Sequence, residues 1–342
     1  MAALIVTLGD PTGIGPEVLA RALATPPATP LLVVGDLRTW EEASRRVGTS
    51  AVLRPVPADR PGVLEGGRVP FLDVPPADRG WTSGQVSPAA GRAAAQWLEV
   101  AVRLALADDG RAVAFAPLNK QAIIRAGYPV RDEYELCAQL VGVRDHDEVN
   151  VIPHPAGPQG RLLWAARVTG HLPFREIVGR LSAARVLRAI RLVHRVAVAT
   201  SAGLPRVAVA ALNPHAGEGG LLGDEEERLI APAVAAAAAE GIAATGPVPA
   251  DHVFRRACAG EFDAVVAMYH DQAQIATKLL GFDRGVSVGV GYPFVLTTPS
   301  HGTAHDIAGT GRADPRPMQQ ALDLAVRLRP VVLTQDARGD AP

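Results

Sequence analysis

Several features that would assign a class of protein are scarce or missing in this sequence. Among its 342 residues are only two cysteines, Cys137 and Cys258, which are too few for a disulfide framework and favour idle thiols in a reducing compartment. Aromatic residues make up 4%, so Ala, Val, Leu and Ile must build the core. The formal net charge is -1 and there is no basic block, so we expect no nucleic-acid partner.

Long hydrophobic runs are missing as well. No run approaches the roughly 20 apolar residues that a helix needs to cross a bilayer, so we expect no membrane contact. The first ten residues, MAALIVTLGD, lack the basic region that opens a signal peptide. These absences together predict a cytoplasmic protein.

Short apolar runs alternate with longer helical patterns along the chain. This alternation is typical of parallel α/β folds, in which helices cover a sheet, and the length favours two domains. Strands are predicted at Ala3–Leu8, Leu31–Val34, Val69–Leu72, Ala112–Phe115, Val149–Ile152, Leu162–Val168, Arg206–Ala211, Ala264–Met268 and Val286–Val290. Helices are predicted at Glu17–Ala24, Gln85–Ala107, Asn119–Ala126, Ser182–Ala202, Asp224–Glu240 (with Asp224 as its N-cap) and Pro317–Arg327.

Three histidines stand at the places where a parallel sheet binds its ligands, beyond the carboxyl ends of the strands. His171, His215 and His270 each follow a different predicted strand. Neutral imidazole is a common metal ligand, and three protein ligands leave a position open for substrate. The spacing alone leaves two alternatives, namely a shared metal site and three unrelated loop histidines.

Charged residues near the same strand ends are further candidates. Asp271 directly follows the third histidine, and Asp251 opens a helical segment. Each carboxylate could orient a metal ligand or act as a general base, and the alternative is a solvated loop acid or a helix cap. Lys278 and Lys120 could bind a substrate anion, and the alternative is an ordinary surface lysine.

Four longer motifs occur in order: GDPTGIGPEV at Gly9–Val18, LNPHAGEGG at Leu212–Gly220, MYHDQ at Met268–Gln272 and HGTAHDIAGTGRADP at His301–Pro315. Together they resemble the 4-hydroxythreonine-4-phosphate dehydrogenase family, and the resemblance runs over nearly the whole chain. The first and last also resemble segments of isopropylmalate and isocitrate dehydrogenases, whose fold that family shares.

The resemblance implies two α/β/α domains with the active site in the cleft between them, as in isocitrate and isopropylmalate dehydrogenases. The first domain would comprise residues 1–128 and 285–342 and would hold the segment that binds NAD. The second, residues 129–284, would hold the metal ligands and the interface of a homodimer with a shared active site.

The resemblance also assigns ligands to the site. His171, His215 and His270 match the three divalent-metal ligands of the family, one of which reaches in from the partner subunit. Zinc is the first choice of metal, with Mg, Mn or Co as alternatives. The nucleotide would be NAD, with NADP as the alternative. The segment His301–Asp306 matches the one that holds the adenosine half of NAD, which makes His301, Gly302, Thr303, Ala304 and Asp306 candidates. Gly13 is a further candidate because it belongs to a glycine-rich turn whose backbone N–H groups could bind an anion at a helix start.

The reaction that the resemblance implies is the oxidation of a secondary alcohol in a hydroxy acid, after which the β-keto acid loses CO₂. Asp251 and Asp271 match positions that support the metal site or handle protons. Lys278 matches a position that binds the substrate's anion.

The chain departs from the family where the substrate's phosphate binds. Glu133 and Tyr134 stand in place of a His and a Thr, Ser287 replaces an Asn, and Leu296 replaces an Arg. Two like charges about 4 Å apart repel by about 4 kcal/mol at an effective dielectric of about 20, so Glu133 would oppose a phosphate dianion. With Lys120 as a further contact, this pocket predicts a small non-phosphorylated hydroxy acid.

Three alternatives stay open. The first is 4-hydroxythreonine-4-phosphate dehydrogenase of pyridoxal phosphate biosynthesis, with a rebuilt phosphate pocket. The second is a dehydrogenase of a carboxylated cis-dihydrodiol. The third is a ligand-binding homologue that has lost turnover, against which the retained histidines and the His301 loop argue.

Overall fold

The computed structural model describes residues 4–25, 27–49, 51–57, 68–107, 112–155, 160–201, 203–281 and 283–335. The predicted strand residue Ala3 and the predicted helix residue Ala202 lie outside the described residues.

Twelve strands form within the described residues: β1 (Leu4–Thr7), β2 (Leu31–Gly35), β3 (Leu53–Pro55), β4 (Val69–Asp73), β5 (Ala112–Phe115), β6 (Asp147–Pro153), β7 (Leu162–Arg167), β8 (Val207–Ala210), β9 (Ala244–Val248), β10 (Ala264–Ala267), β11 (Val286–Val290) and β12 (Val295–Pro299).

Eleven α-helices lie within the same residues: α1 (Gly15–Ala22), α2 (Leu37–Val47), α3 (Pro88–Leu106), α4 (Lys120–Arg125), α5 (Glu133–Val141), α6 (Ile177–Arg180), α7 (Ala183–Val198), α8 (Ala231–Ala239), α9 (Ala250–Cys258), α10 (His270–Gly281) and α11 (Arg316–Gln335). A π-helical turn at Glu226–Ile230 leads into α8. No helix in the described part of the chain is both long and apolar enough to span a membrane.

Side-chain caps start five of these helices. Asp36, Ser87, Asn119, Asp132 and Ser182 each accept a hydrogen bond from the backbone N–H three residues later, at the starts of α2, α3, α4, α5 and α7. Such a cap satisfies a backbone donor that the helix itself leaves unpaired and contributes about 1 kcal/mol.

Unit 1 consists of the described residues of Met1–Glu148 and Val286–Pro342. Its strands lie in the order β3-β4-β2-β1-β5-β12-β11, and every neighbouring pair is parallel except β11 with β12. The strands β1, β2 and β5 are buried along their whole length, as is typical of parallel strands covered by helices. The carboxyl ends of β1, β5 and β12 therefore meet at one edge of this sheet.

Unit 2 consists of the described residues of Val149–Gly285. Its strands lie in the order β6-β7-β10-β8-β9, with β6 antiparallel to β7 and the other pairs parallel. Its core is mostly aliphatic, and Phe254 and Phe262 of the unit pack with it. The predicted α/β class is confirmed. The first boundary between the units lies later in the chain than residue 128, and the second lies next to residue 284.

Candidate active site

Three neighbouring strands of unit 2 each lead to one of the predicted metal ligands. The strands β7, β10 and β8 lie side by side and run parallel, so their carboxyl ends meet at one edge of the sheet. The segments with His171, His270 and His215 leave from this edge, which we call the histidine edge. Strand order explains how residues as distant in sequence as His171 and His270 converge on one region.

Side chains fasten the strand ends at the histidine edge to one another. The Thr169 hydroxyl donates a hydrogen bond to the Met268 carbonyl at 2.8 Å. Gln272 accepts from the Met268 N–H at 2.7 Å and donates to the Ala211 carbonyl at 2.8 Å. Thr169 thus joins the end of β7 to that of β10, and Gln272 joins the end of β10 to that of β8.

Two of the histidines form a close pair. The ring centroids of His171 and His270 lie 5.1 Å apart, with the ring planes tilted by 43°. The Nδ1 of His270 lies 2.6 Å from a carboxylate oxygen of Asp271. A carboxylate on one ring nitrogen fixes the orientation of the other, so Nε2 of His270 is the nitrogen suited to a metal.

His215 opens a left-handed turn. The φ angle is 52° at His215, 54° at Ala216 and 46° at Glu218, and each such residue costs about 1–2 kcal/mol because Cβ crowds the carbonyl oxygen. The non-glycine residues with positive φ in the described chain are these three, His171 at 42° and Ala304 at 41°. All five lie in candidate site segments, and backbone strain of this kind concentrates at functional sites.

A buried carboxylate holds the start of the turn. Glu226 accepts hydrogen bonds from the N–H groups of Leu212 and Asn213 at 2.8 Å each and from the Asn213 amide at 2.9 Å. Gly217 has a positive φ of 80°, and a Cβ at this position would lie 2.9 Å from Glu226 Oε2. The small residues around His215 therefore allow the tight turn and its packing on Glu226. Glu226 was not among the predicted site residues.

The predicted three-histidine set is only partly assembled within one chain. No group of three or more His, Cys, Asp or Glu side chains among the described residues is arranged to hold a metal ion. The structure brings the rings of His171 and His270 together, and His215 lies in the turn that follows the adjacent strand, β8. Two imidazoles with a supporting carboxylate are a donor set that fits a divalent ion such as zinc.

The other predicted residues of unit 2 lie on two helices. Asp251 is exposed in the first turn of α9, where a negative charge interacts favourably with the helix dipole. Its Oδ2 lies 3.4 Å from His252 Nε2. Asp271 and Lys278 are seven residues apart on α10, so both lie on one face of that helix, and both are exposed.

The two segments predicted to hold NAD pack against each other in unit 1. A Cβ on Gly13 would lie 2.6 Å from Thr303 Cβ, so this close approach requires glycine. The Ile14 N–H donates to the Thr303 carbonyl at 2.9 Å. Asn119, which follows β5, lies 3.5 Å from the Thr303 hydroxyl. The glycine turn after β1 and the segment after β12 thus form one surface at the carboxyl edge.

A buried acid lies beneath the glycine turn. One carboxylate oxygen of Asp10 accepts from the N–H and hydroxyl of Thr12 at 2.8 and 2.7 Å. The other is buried without a hydrogen-bond partner, 3.9 Å from His305 Nε2. Burial raises the pKa of Asp10, although the Thr12 hydrogen bonds oppose the shift. Neither Asp10 nor His305 was among the predicted site residues.

The rest of the 301–311 segment is anchored by α1. The buried carboxylate of Glu17 accepts from the Gly309 N–H at 2.6 Å and from the Gly311 N–H at 2.9 Å. Burial lowers the pKa of His301 and so favours the neutral ring. Of the remaining predicted cofactor residues, Thr303 is buried, Ala304 is half-buried, and Gly302 and Asp306 are exposed.

The predicted substrate residues of unit 1 gather around the start of α5. Glu133 Oε1 lies 4.0 Å from Lys120 Nζ at the start of α4. Burial raises the pKa of Glu133 to about 7, and the Lys120 charge opposes the shift. Burial also raises the pKa of Tyr134, and the side chain of Ser287 opposes this shift. The repulsion that the sequence analysis assigned to Glu133 is therefore conditional on its protonation state.

Leu296 corrects one sequence-based assignment. Its side chain in β12 is fully buried, and a Cβ on Gly289 of β11 would lie 2.9 Å from Leu296 Cδ2. It is a core residue of unit 1 and has no exposed surface for a substrate. The neighbouring Ser287 is almost as buried, and its hydroxyl lies 3.2 Å from that of Ser300.

Comparison with known proteins assigns the family. The family model described as pyridoxal phosphate biosynthetic protein PdxA matches residues 27–325. The chain belongs to this family. It is 40% identical to 4-hydroxythreonine-4-phosphate dehydrogenase from Beijerinckia indica over 95% of each chain. It is 39% identical to D-threonate 4-phosphate dehydrogenase from Cupriavidus necator over 93% of this chain and 94% of that one. The predicted family is confirmed.

Solved structures agree with this assignment. A 4-hydroxythreonine-4-phosphate dehydrogenase from Klebsiella pneumoniae is 38% identical, with a TM-score of 0.79 over 96% of this chain and 98% of that one. A terephthalate 1,2-cis-dihydrodiol dehydrogenase from Burkholderia xenovorans is 28% identical, with a TM-score of 0.63 over 95% and 97%. These relatives are dehydrogenases, and the prediction of an enzyme of that class is confirmed. A β-decarboxylating dehydrogenase from Thermococcus kodakarensis, 17% identical with a TM-score of 0.50 over 99% and 89%, shares the fold.

Proposed function

We propose that this enzyme is an NAD- and divalent-metal-dependent dehydrogenase of a small 4-phosphorylated hydroxy acid or amino acid, and that the oxidised product loses CO₂. The observation that carries the proposal is the nearly full-length similarity, at 39–40% identity, to dehydrogenases named for 4-hydroxythreonine 4-phosphate and D-threonate 4-phosphate. A phosphorylated substrate, one of the alternatives expected from the sequence, is therefore preferred to a non-phosphorylated one.

The metal ion is proposed to bind His171, His270 and His215. It would supply Lewis-acid stabilisation of negative charge on the substrate's oxygens. Asp271 fixes the His270 ring, and the hydrogen bonds of Gln272 hold two of the strand ends together. Lys278 is proposed to bind an anionic group of the substrate, and Asp251 and Asp271 to support the site or move protons. Zinc remains the first choice of metal.

NAD, with NADP as the alternative, is proposed to bind the surface formed by the Gly13 turn and the 301–306 segment. It would supply the hydride acceptor, which amino-acid side chains lack. One observation supports a bound polar group here: the buried Oδ2 of Asp10, beneath the Gly13 turn, has no hydrogen-bond partner.

A homodimer with a shared active site is also proposed. Phe174, Leu221 and Leu279 are 77%, 81% and 83% exposed, and each follows one of the three histidines in the chain. Large apolar side chains in such positions are typical of protein interfaces. A partner that covers them would also lie beside the incomplete metal-ligand set and could complete it. The cytoplasmic location stays a prediction.

One observation favours a second candidate, the oxidation of a non-phosphorylated hydroxy acid. The buried carboxyl group of Glu133 lies beside Lys120, and when ionised it would neutralise the lysine charge that an anion needs. The similarity to the dihydrodiol dehydrogenase shows that a structural relative of this chain is named for a substrate without phosphate.

A substrate comparison tests both candidates. The protein, supplied with a divalent ion and NAD or NADP, would be assayed with 4-hydroxythreonine 4-phosphate, D-threonate 4-phosphate, their dephosphorylated forms and terephthalate dihydrodiol, while NADH and CO₂ are measured. We expect kcat/KM to favour a phosphorylated substrate by at least about tenfold. The reverse preference would support the second candidate. The absence of NADH with every substrate would contradict both and favour a non-catalytic homologue.

A further inference from the structure

A poorly compensated carboxyl group and a lysine meet at the start of α5 in unit 1. Glu133 is only 8% exposed. Its Oε1 lies 4.0 Å from Lys120 Nζ, which is longer than a hydrogen bond, and its Oε2 is buried with no hydrogen-bond partner. A buried charge with so little compensation is unfavourable. Lys120, in contrast, has a side chain that is 43% exposed and accessible to a ligand.

We propose that Lys120 contacts the anionic group of the substrate and that Glu133 determines specificity by controlling the charge beside it. When Glu133 is a neutral acid, the positive charge of Lys120 is available to a phosphate or carboxylate. When Glu133 is ionised, the pair has no net charge, and an anion beside Lys120 is repelled by the carboxylate. The substrate's identity in this inference rests on the proposed function, whereas the anion site does not.

The surroundings of Glu133 support a change of protonation near neutral pH. Burial is the main cause that raises its pKa to about 7; Lys120 and a backbone hydrogen bond at Glu133 itself lower it, and Asp132 and Glu148 raise it further. The other titratable groups that share this environment have raised pKa values and stay neutral: Tyr134, Cys137 and Tyr292. Anion affinity is therefore greatest below the pKa of Glu133 and falls as the pH rises through it.

Sulfate is a suitable probe because its charge does not change across this pH range. Its affinity would be measured by calorimetry, at about pH 6 and about pH 8, for the wild type, Glu133→Gln, Lys120→Met and the control Glu135→Gln. Glu135 is a neighbouring carboxylate on the same helix and pairs with Arg131 rather than with Lys120, so its replacement removes a negative charge without removing the carboxyl group beside Lys120. We expect sulfate to bind the wild type about tenfold more weakly at the higher pH.

The variants separate the roles of the two residues. Glu133→Gln should bind sulfate equally well at both pH values, Glu135→Gln should behave like the wild type, and Lys120→Met should not bind sulfate. Identical pH dependence in the wild type and Glu133→Gln, unchanged binding by Lys120→Met, or no binding by the wild type would each overturn the inference. If no substrate gives NADH, the proposed function fails, while the sulfate measurements still decide this inference.

Discussion

Glu226 is a single buried carboxylate on which the position of the His215 turn depends. It lies in the run Asp224–Glu227, four acids that look alike in sequence, yet Glu226 alone of this run receives the N–H groups of both Leu212 and Asn213. Asp224, the predicted N-cap, instead lies 3.4 Å from Arg228 in an exposed ion pair. Glu226 is the buried acid because its side chain faces the backbone N–H groups that follow β8. This tertiary contact cannot be predicted from the local sequence, in which the four acids are equivalent.

Replacing Glu226 should loosen the candidate metal site. In Glu226→Gln the amide NH₂ would face the Asn213 NH₂, so two donors would oppose each other in a buried place. We expect the free energy of unfolding to fall by about 1–3 kcal/mol and metal affinity to fall by about tenfold or more. Urea unfolding and metal titration measure the two effects. Glu227→Gln, on the exposed side of the run, is the matched control, and equal metal affinity in the two variants would contradict the anchoring role.

Gly13 tests the surface proposed for NAD. In Gly13→Ala the new Cβ would lie 2.6 Å from Thr303 Cβ, so we expect a loss of about 1–3 kcal/mol in stability and weaker NAD binding. Gly302→Ala is the control for stability, since no heavy atom lies within 4 Å of its new Cβ. Adding Thr303→Gly to Gly13→Ala should recover part of the lost stability in thermal unfolding. A melting temperature for Gly13→Ala equal to that of wild type would show that the two segments are not packed as described.

Among the elements, α2 begins at an acid with two roles. Asp36 caps the helix through the Thr39 N–H at 3.1 Å and pairs with Arg79 at 2.6 Å. The hydrogen bonds from Arg79 and Thr39 outweigh the effect of burial and lower the pKa of Asp36 below its ordinary 3.8. The ionised form therefore stabilises the fold at all pH values above 3.8, and this contribution is lost as the pH falls through the lowered pKa.

Asp36→Asn separates the two roles because asparagine also caps helices well. We expect the variant to be less stable than the wild type by about 1–2 kcal/mol at neutral pH, from the loss of the charged pair. The difference should shrink as acid protonates Asp36 in the wild type. Denaturant unfolding at neutral pH and at about pH 3 measures it, and a difference independent of pH would rule out the ion pair as its source.

Elements with clear apolar periodicity could be predicted from the sequence, and irregular ones could not. The strand β5 has the predicted bounds, and β1, β7 and β10 lie within theirs. The strand β9 was not predicted because its sequence, ATGPV, contains Gly and Pro, which an edge strand tolerates. The strand β12, VLTTP, is wholly buried although it has two threonines, whose hydroxyls donate to the carbonyls of Ala321 and Phe115.

At the scale of the whole molecule, exposed apolar side chains are unevenly distributed. Among the described residues, nine of the twelve large exposed apolar side chains belong to unit 2. On α10, Ile275 and Leu279 recur at helical spacing with Asp271 and Lys278, so one exposed face carries both apolar side chains and proposed catalytic residues. A partner bound to this face would lie beside the proposed catalytic residues.

Leu279→Glu should therefore convert the proposed dimer into a monomer and remove activity together with it, because a buried unpaired charge opposes association. Light scattering with size-exclusion chromatography measures the mass, and the NADH assay measures the activity. Leu106→Glu on α3, which changes a 44% exposed leucine of unit 1, should affect neither property. A dimeric Leu279→Glu protein would exclude this face as the interface.

The chain order of the two units has a consequence for biosynthesis. The five strands of unit 2 are consecutive in the chain and are made one after another. In unit 1, β12 pairs with β5 but is translated only after the whole of unit 2. Domains commonly fold while they emerge from the ribosome, the first-made domain first. Here all strands of the later unit are made before the earlier unit has its last two, so the nascent chain passes through a stage in which the apolar strand β5 still lacks its neighbour β12.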